Sequence, residues 1–375
     1  MKIFFDHKIF VHQNYGGPSR YFSNLVNHIN KKKNINAKIF APIHINNHLS
    51  FLNKEDVNFS HKIIFADKIN KYYSVKRKLL KINSFINNYF LKNFKPNILH
   101  TTYYDKDNFP KDVKMVVTVY DLIHEIFYNE YGLKKSFLPK KEILERADHI
   151  ICISESTKKD LIKFYNVSAK NITVTHLATH FTNKHIITSK LKFKNLIQKK
   201  YFLYVGSRQK YKNFYSLLEA IKLNKSMLDD YQLVIFGGGE LTKSEKDKIL
   251  SLNLNPKNII NLYGEENLLK ELYKNAEFFI YPSKYEGFGI PILESFSQEC
   301  PVLCSNNSSL PEVAGDAVIY FDPNNIESIA ESINEIIKSN KIKNLCKKKG
   351  LERLKLFSWE KCANETIEIY KKLII

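Results

Sequence analysis

The sequence predicts an α/β protein with two doubly wound, parallel-sheet domains. Short apolar runs alternate with amphipathic stretches along both halves of the 375-residue chain, a pattern typical of parallel strands joined by crossover helices. A chain of this length fits two domains of ordinary size. The stretch at 182–200 is polar and weakly patterned, so we interpret it as a linker and place the domain boundary after residue 190.

The first half begins with a strand at 2–5, followed by a Gly-Gly-Pro turn and a helix at 19–30. Further apolar runs predict strands at 38–41, 62–65, 98–101, 115–120 and 149–153. Ser154 stands directly before a helical pattern and is interpreted as a helix N-cap.

The second half begins again with a strand at 202–205 and a helix at 214–223. Its later strands are predicted at 233–236, 259–262, 278–281, 302–304 and 318–321. The last segment, 358–373, has the pattern of an amphipathic helix and contains the only tryptophan, Trp359.

The stretch 283–323 carries the most chemical information. The apolar run before it predicts a buried strand, and Pro291 suits the first turn of a helix. Between them, the glycine-rich loop at 287–289 would present backbone N–H groups at the positive end of a helix dipole, which favours a phosphate. Glu286 and Glu294 would repel a phosphate, so we assign them to hydroxyls of a ribose and a sugar. Together these groups indicate a nucleotide-sugar.

The letters EGFGIPILES, followed by PV and SNNSSLPEVAGDAVIYFDP, closely resemble the donor-site signature of retaining glycosyltransferases of family 4, among them bacterial mannosyltransferases of surface-polysaccharide synthesis. That family has the GT-B fold, in which two Rossmann-like domains face a cleft and the C-terminal helix crosses back to the first domain. The resemblance implies an acceptor-binding domain at 1–190, completed by 358–375, and a donor-binding domain at 191–357. The alternative, that the two glutamates are solvated and the glycines only form a turn, leaves the surrounding forty residues unexplained.

Arg208 and Lys212 follow the predicted strand at 202–205 and resemble the Arg and Lys with which the family clamps the donor diphosphate. Two cations there would stabilise the negative charge that grows on the leaving group. The alternative is a pair of ordinary surface cations in a lysine-rich chain. The remaining donor contacts implied by the resemblance are Gly16, Gly17, Gly206, Gly287, Phe288, Gly289 and Glu294, with a tight turn as the alternative for Gly16 and Gly17.

The chain departs from the family pattern after the strand at 115–120. Many relatives have His-Asp there, and this chain has Tyr120 and Asp121, with His124 three residues further on. We do not carry the histidine's role onto Tyr120. Asp121 is a candidate for holding a hydroxyl of the acceptor or donor, His124 is a candidate substitute, and a structural turn is an equally good explanation.

The implied reaction is retaining transfer of a hexose from a nucleotide-sugar to a glycan or polyprenol-linked acceptor. We expect mannose, supplied as GDP-mannose, and front-face attack in which the leaving phosphate helps to deprotonate the acceptor. Glu286 would orient the sugar hydroxyls and Glu294 would hold the ribose. We expect no cofactor and no essential metal, because Arg208 and Lys212 neutralise the diphosphate. The D-x-D sequence at 105–107 is too short a pattern to indicate a metal site.

The positive charge is concentrated in the first half of the chain. Residues 1–195 contain 33 Lys and Arg against 15 Asp and Glu, whereas residues 196–375 contain 25 against 23. The stretch 68–95 predicts a basic helix with apolar residues at helical spacing: Tyr72, Val75, Leu79, Ile82, Ile86, Tyr89 and Phe90. Its composition is typical of a helix that binds an anionic membrane surface. The alternative is that this stripe packs on the domain core and the lysines are simply solvated.

Several other classes of protein are disfavoured. No apolar run is long enough for a transmembrane helix, the N-terminus does not resemble a signal peptide, and the five cysteines form no C-x-x-C pair. We therefore expect a cytoplasmic protein, peripheral on the inner face of the membrane. Two alternatives stay open: a GT-B nucleotide-sugar epimerase, and a basic nucleic-acid-binding protein, although we expect no nucleic-acid partner.

Overall fold

A computed structural model describes residues 1–58, 60–63, 66–69, 72–105, 109–131, 137–181 and 196–375. The chain divides into two compact units: Met1–Leu177 together with Ser358–Ile375, and Ala178–Phe357. The predicted boundary after residue 190 and most of the predicted linker lie outside the described residues.

The first unit alternates strands and helices. Its strands are β1 (Lys2–Phe5), β2 (Asn36–Phe40), β3 (Ile43–His44), β4 (Val57–Asn58), β5 (His61–Lys62), β6 (Ile98–Thr101), β7 (Lys114–Val119), β8 (His149–Cys152) and β9 (Ile172–Val174). Its helices are α1 (Lys8–His12), α2 (Gly17–Ile29), α3 (Ala66–Ile69), α4 (Tyr73–Phe94), α5 (Ile123–Ile126), α6 (Tyr128–Tyr131), α7 (Phe137–Arg146) and α8 (Glu155–Tyr165).

The main sheet of this unit is parallel, in the order β4-β2-β1-β6-β7-β8-β9, and β3 pairs with β5 in a small separate sheet. The strand order reverses between β1 and β6, which makes their carboxyl ends a switch point, where doubly wound sheets bind ligands. Strands β6 and β7 are buried over almost their whole length, which is typical of parallel strands covered by helices on both faces.

The second unit repeats the pattern. Its strands are β10 (Lys200–Val205), β11 (Tyr231–Phe236), β12 (Ile259–Leu262), β13 (Phe278–Tyr281), β14 (Val302–Ser305) and β15 (Ile319–Phe321). Its helices are α9 (Phe214–Leu223), α10 (Met227–Asp230), α11 (Lys243–Ser251), α12 (Glu266–Asn275), α13 (Ile290–Ser297), α14 (Leu310–Ala314), α15 (Ile326–Lys338) and α16 (Asn340–Leu354).

The sheet of the second unit is parallel, in the order β12-β11-β10-β13-β14-β15. Its order reverses between β10 and β13, which are joined across the reversal by stacked Phe202 and Phe278 rings with centroids 5.2 Å apart. Two parallel doubly wound sheets in one chain confirm the predicted fold class.

The C-terminal helix α17 (Trp359–Ile374) belongs to the first unit, as the sequence resemblance implied. Ser358 caps it by accepting a hydrogen bond from the Lys361 amide. The Tyr370 hydroxyl lies 2.5 Å from His100 Nδ1 on β6, and both side chains are fully buried. The helix is therefore fixed to the sheet by an internal polar contact as well as by apolar packing.

Most strand predictions are correct to within two residues, and Ser154 is the N-cap of α8, as expected. The sequence reasoning missed the short helix α1, and it predicted a strand at 62–65 where the structure has His61–Lys62. Residues 64–65 lie outside the described part of the chain.

The basic helix is present as α4, and the residues of its predicted apolar stripe are partly buried and partly exposed. Tyr72, Ile82 and Tyr89 of that stripe are exposed. The most buried positions of α4 are Leu79, Asn83, Asn87 and Leu91. The two asparagines are buried because they hydrogen-bond to neighbouring backbone: Asn83 to both polar groups of Ile43, and Asn87 to the Phe40 carbonyl. The periodicity of apolar residues cannot predict the burial of asparagines that hydrogen-bond to the backbone.

Candidate functional site

Two loops at the carboxyl ends of β10 and β13 form the candidate site of the second unit. They follow the two strands between which the strand order reverses. The loop after β10 carries Lys212 and the loop after β13 carries Glu286. A main-chain hydrogen bond from the Lys284 amide to the Tyr211 carbonyl, 2.8 Å, ties the two loops together.

This link places Lys212 and Glu286 in direct contact. Lys212 Nζ donates to Glu286 Oε1 at 2.7 Å, and both side chains are mostly buried, with exposed fractions of 15% and 9%. The Lys212 ammonium also lies over the ring of Tyr281, 5.7 Å from its centroid. Burial, with the Glu286 carboxylate nearby, raises the pKa of the Tyr281 hydroxyl well above its usual value. Tyr281 therefore stays protonated and can donate a hydrogen bond.

The local backbone explains why the β10 loop has this shape. Gly206 ends the strand at φ +127°, a conformation that L side chains rarely adopt, although a Cβ there would meet no atom within 4 Å. Asn213 follows Lys212 in the left-handed region, and its side-chain amide donates to the Pro323 carbonyl at 2.7 Å. Lys212 is thus held between a glycine turn and an anchored asparagine.

The loop after β13 is held by hydrogen bonds to two serines that precede α14. The Glu286 amide donates to Ser308 Oγ at 2.9 Å. Ser309 Oγ lies within donating distance of the carbonyls of Glu286, 2.9 Å, and Phe288, 2.8 Å. These contacts fix the backbone around Glu286 and explain why the SSLP letters accompany the loop in the sequence.

Gly289 is required by the fold of this loop. It adopts φ +115° as the N-cap of α13, and a Cβ there would lie 2.9 Å from Leu310 Cδ2. Phe288 is buried, and its ring packs edge-on against Phe357 at 5.9 Å. Gly287 is also buried within the loop. Of these three residues, the Phe288 side chain therefore supports the loop, and any contact with a ligand would come from the backbone.

Glu294 lies on α13, buried, one turn inside the helix that the loop begins. The Tyr273 hydroxyl donates to its Oε2 at 3.4 Å, and burial together with this carboxylate raises the pKa of Tyr273. The two glutamates of the signature occupy the loop and the helix that follows it.

Arg208 has a different environment from the one that the sequence indicated. Its Nε donates to Glu245 Oε1 at 2.8 Å, and its Nη atoms donate to the carbonyls of the loop after β11: Gly237, Gly238, Gly239 and Glu240. The side chain is only 3% exposed. Three consecutive glycines with positive φ make these carbonyls converge, and a Cβ on Gly238 would lie 2.7 Å from Arg208 Nη1. Arg208 therefore organises this loop and Glu245.

In the first unit, Gly16 and Gly17 lie at the start of α2, after β1 and α1. A Cβ on Gly16 would lie 2.2 Å from Gln13 Oε1, whereas a Cβ on Gly17 would meet no atom within 4 Å. A side chain at position 16 would therefore require the Gln13 side chain to move. Close approach of a ligand remains the explanation that the sequence offers for glycine at position 17.

Asp121 and Tyr120 follow β7 in the same unit. The Tyr120 hydroxyl donates to the Thr102 carbonyl at 3.0 Å and is buried, so it supports the sheet edge. Asp121 Oδ1 accepts a hydrogen bond from the Ile123 amide at 3.1 Å. Burial raises the pKa of Asp121, although nearby Lys140 opposes the change. His124 lies on the short helix α5 and is exposed.

Asp105 of the D-x-D sequence pairs with His12, whose Nε2 lies 2.5 Å from Asp105 Oδ2. Asp107 lies outside the described residues. Within the parts of the chain that the structure describes, no three His, Cys, Asp or Glu side chains come together as a possible metal site.

Sequence reasoning missed Ser308, Ser309, Asn213 and Glu245, which position the site without being charged ligands of it. Asn213 directly follows Lys212, and an asparagine at a strand-to-helix turn is a signal for the left-handed conformation. The run Gly237-Gly238-Gly239 was a visible turn signal, but its partner Arg208 lies far from it in the sequence.

Known proteins resemble this chain in both sequence and structure. A family model described as Glycosyltransferase Family 4 matches residues 15–179, and one described as Glycosyl transferases group 1 matches residues 188–353. O-antigen chain mannosyltransferase B of Escherichia coli is 34% identical over 240 residues, 62% of this chain and 62% of that protein. O-antigen chain mannosyltransferase RfbU of Salmonella typhimurium is 31% identical over 224 residues, 59% of this chain and 60% of that protein. The matches thus span about three fifths of the length of these curated relatives.

A crystal structure of a glycosyltransferase from Rickettsia africae has a TM-score of 0.70 and 18% sequence identity, covering 100% of this chain and 98% of that chain. At that identity the likeness concerns the fold. It agrees with the GT-B fold expected from the sequence.

Proposed function

Because the chain belongs to the glycosyltransferases that the Family 4 and group 1 models describe, we propose that it transfers a hexose from a nucleotide-sugar to a glycan or polyprenol-linked acceptor, with retention of anomeric configuration. The observation that carries this proposal is the contact between Lys212 and Glu286 at the switch point of the second sheet. It joins a cation suited to a phosphate and a carboxylate suited to sugar hydroxyls.

The reaction needs opposite charges to be stabilised on its two sides. Cleavage of the bond between sugar and diphosphate develops negative charge on the leaving group, which Lys212 and the N–H groups of the loop at 287–289 would stabilise. The positive charge develops on the sugar, whose hydroxyls Glu286 would orient. Arg208, held by the backbone carbonyls of residues 237–240, would contribute its positive charge and would shape the donor loop. Glu294 would hold the ribose.

Before donor binds, Lys212 and Glu286 neutralise each other. A diphosphate beside Lys212 competes with Glu286 for the ammonium group, so donor binding would release the carboxylate for the sugar. No separate general base is needed in this scheme, because the leaving phosphate accepts the proton of the acceptor hydroxyl.

We assign mannose to the donor and surface-polysaccharide synthesis to the pathway on the support of the two O-antigen chain mannosyltransferases. GDP-mannose is the corresponding nucleotide-sugar. The acceptor would be a growing glycan, and Asp121 is the residue of the first unit proposed to contact one of its hydroxyls.

The experiment that tests this function is turnover of a panel of nucleotide-sugars with octyl α-mannoside and with a polyprenol-linked glycan as acceptors. We expect release of GDP together with a glycosylated product of retained configuration, read by NMR. A product of inverted configuration would contradict the mechanism. Free sugar or an epimer formed without acceptor would favour the epimerase, and a gel shift that persists at physiological salt would favour nucleic-acid binding.

The proposed mechanism also predicts independence of divalent metal ions. Because protein cations neutralise the diphosphate, we expect 10 mM EDTA, on the order of a thousandfold excess over enzyme, to change the initial rate by less than about twofold, whereas removal of a required metal would remove its whole contribution to catalysis. Loss of activity that magnesium or manganese restores would contradict the prediction.

We further propose that the first unit binds the anionic surface of a membrane through α4. The outward face of this helix carries Ile82, Phe85 and Tyr89, exposed to 47%, 81% and 68%, among exposed lysines at 78, 81 and 92. Exposed apolar side chains on a basic helix suit insertion between lipid headgroups. No helix in the described ranges is both long and apolar enough to span a membrane.

The double substitution Phe85→Ser and Tyr89→Ser is expected to weaken binding to anionic liposomes by at least about tenfold, because each large side chain contributes roughly 1.5–3 kcal/mol when buried. Co-sedimentation measures the loss. Phe51→Ser is the matched control, since Phe51 is 82% exposed but lies outside α4. Equal binding to neutral vesicles, or no binding to either, would refute the membrane proposal.

A further inference from the structure

A buried cluster of charged side chains lies beside Asp121, outside the donor site. Lys140 on α7 and Glu125 on α5 form an ion pair of 2.7 Å, with side chains only 7% and 3% exposed. The Tyr165 hydroxyl of α8 donates to the same carboxylate oxygen, Glu125 Oε1, at 2.6 Å. Helices α5, α7 and α8 therefore meet at one ion pair.

Lys140 also reaches the loop that carries Asp121. Its Nζ donates to the Asp121 carbonyl at 3.3 Å and lies 4.7 Å from the centroid of the Tyr104 ring. Lys140 thus connects Glu125, the main chain of Asp121 and the loop after β6. All of these contacts lie at the carboxyl ends of β6 and β7, the edge at which ligands of doubly wound sheets bind.

Another buried ion pair in the same unit has a different arrangement. Lys8 and Asp6 form another buried pair, at 3.6 Å, and Asp6 also accepts hydrogen bonds from Thr101, Thr102 and the Lys8 amide. That carboxylate is fully satisfied and fixes the turn after β1. Glu125 Oε2, in contrast, is buried and has no hydrogen-bond partner among the described residues.

An incompletely satisfied buried charge costs stability, and such departures from good local packing are found where function requires them. The pKa values of Asp6 and Asp121 are also shifted in opposite directions. Burial would raise the pKa of Asp6, but Lys8, His7 and the two threonines outweigh it and lower the pKa. Burial raises the pKa of Asp121, and Lys140 only partly opposes it.

We infer that Lys140 is a positioning residue, held by Glu125, that fixes the Asp121 loop so that the Asp121 carboxylate can accept a hydrogen bond from a hydroxyl of the sugar acceptor. The inference rests on the proposed transferase function. Lys140 would act through Asp121, whose Oδ1 accepts a hydrogen bond from the Ile123 amide at 3.1 Å.

Among the described residues, the charged and titratable groups that act on Asp121 include Lys140 on α7, His124 and Glu125 on α5, and Tyr103 and Tyr104 after β6. Of these, Lys140 and His124 favour the ionised carboxylate. Burial and Glu125 raise the pKa of Asp121, whereas the Lys140 charge lowers it. Removing that charge therefore raises the pKa of Asp121 further. The acid limb of the activity profile then moves to higher pH.

The test is titration of protein labelled with 13Cγ-aspartate, with the Asp121 signal assigned by Asp121→Asn. We expect Lys140→Met to move the Asp121 midpoint to higher pH and Lys140→Arg to leave it close to that of the wild type. Lys141→Met is the matched control, because Lys141 is 61% exposed and pairs with Glu145. An unchanged midpoint in Lys140→Met would overturn the inference.

The kinetic arm uses GDP-mannose and octyl α-mannoside. We expect Lys140→Met to raise the acceptor KM by about tenfold, the effect of one lost hydrogen bond to a charged group, while the donor KM stays unchanged and Lys140→Arg restores the acceptor KM. An acceptor KM that is the same in Lys140→Met as in the wild type would also overturn the inference. If the wild type transfers no sugar from any donor, the proposed function fails, and the Asp121 titration still decides whether Lys140 controls that carboxyl.

Discussion

Replacing Glu286 with glutamine is expected to lower kcat/KM for sugar transfer by about 10²–10³-fold, the effect of removing one well-placed polar contact to the transition state. The amide keeps the size of the carboxylate, but it loses the charge that orients the sugar hydroxyls. It also leaves Lys212 without the counter-charge that now lies 2.7 Å away. Initial rates with the accepted donor, measured beside circular dichroism, give the result.

The matched control for this change is Glu240→Gln, because Glu240 is an exposed glutamate in the loop after β11. We expect the control to retain wild-type activity. Near-normal turnover in Glu286→Gln would show that Glu286 has no role in sugar transfer. A lost circular dichroism signal would show that the substitution had disrupted the fold.

Replacing Lys212 with alanine is expected to reduce transfer by about 10²–10³-fold, because it removes a cation from the side of the leaving diphosphate. The substitution also leaves the mostly buried Glu286 carboxylate unpaired, at a cost of roughly 3–5 kcal/mol where a buried pair is broken. The melting temperature should therefore fall together with the rate. Lys212→Arg should recover the stability more fully than the activity, because guanidinium and ammonium groups differ in geometry.

The double variant separates these two effects. Lys212→Met combined with Glu286→Gln removes both charges of the pair, so the protein should regain much of the melting temperature lost in Lys212→Ala. Its transfer rate should stay as low as that of the single variants. A double variant that recovered transfer would show that the pair is structural only.

The position of the candidate site in the second unit was largely predictable because its residues follow strand ends in a long and distinctive signature. The prediction brought Lys212, Glu286 and the loop at 287–289 to one sheet edge, and the structure places Lys212 against Glu286. The environment of Arg208 could not be predicted, since its partners are backbone carbonyls about thirty residues further on. Every residue has a backbone carbonyl, so the sequence does not indicate which carbonyls will bind an arginine.

The orientation of α4 was not predictable for a related reason. Apolar periodicity assigns the buried face to apolar residues, but Asn83 and Asn87 turn that face inward by hydrogen-bonding to backbone groups. The sequence therefore left open whether the apolar stripe packs on the core or faces outward. Lys140 and Glu125 were missed because two charged residues on separate helices give no sequence signal of a shared burial site.

The central claim is that the second unit binds the nucleoside diphosphate of the donor through Lys212. Calorimetric titration of GDP and UDP into the wild type and into Lys212→Ala tests it most directly, with Lys210→Ala as the control, because Lys210 is an exposed lysine two residues away. We predict that Lys212→Ala weakens binding of the preferred diphosphate by at least about tenfold, or 1.4 kcal/mol, and that Lys210→Ala binds as the wild type does. Equal affinity in Lys212→Ala and the wild type, or an equal loss in Lys210→Ala, would contradict the account.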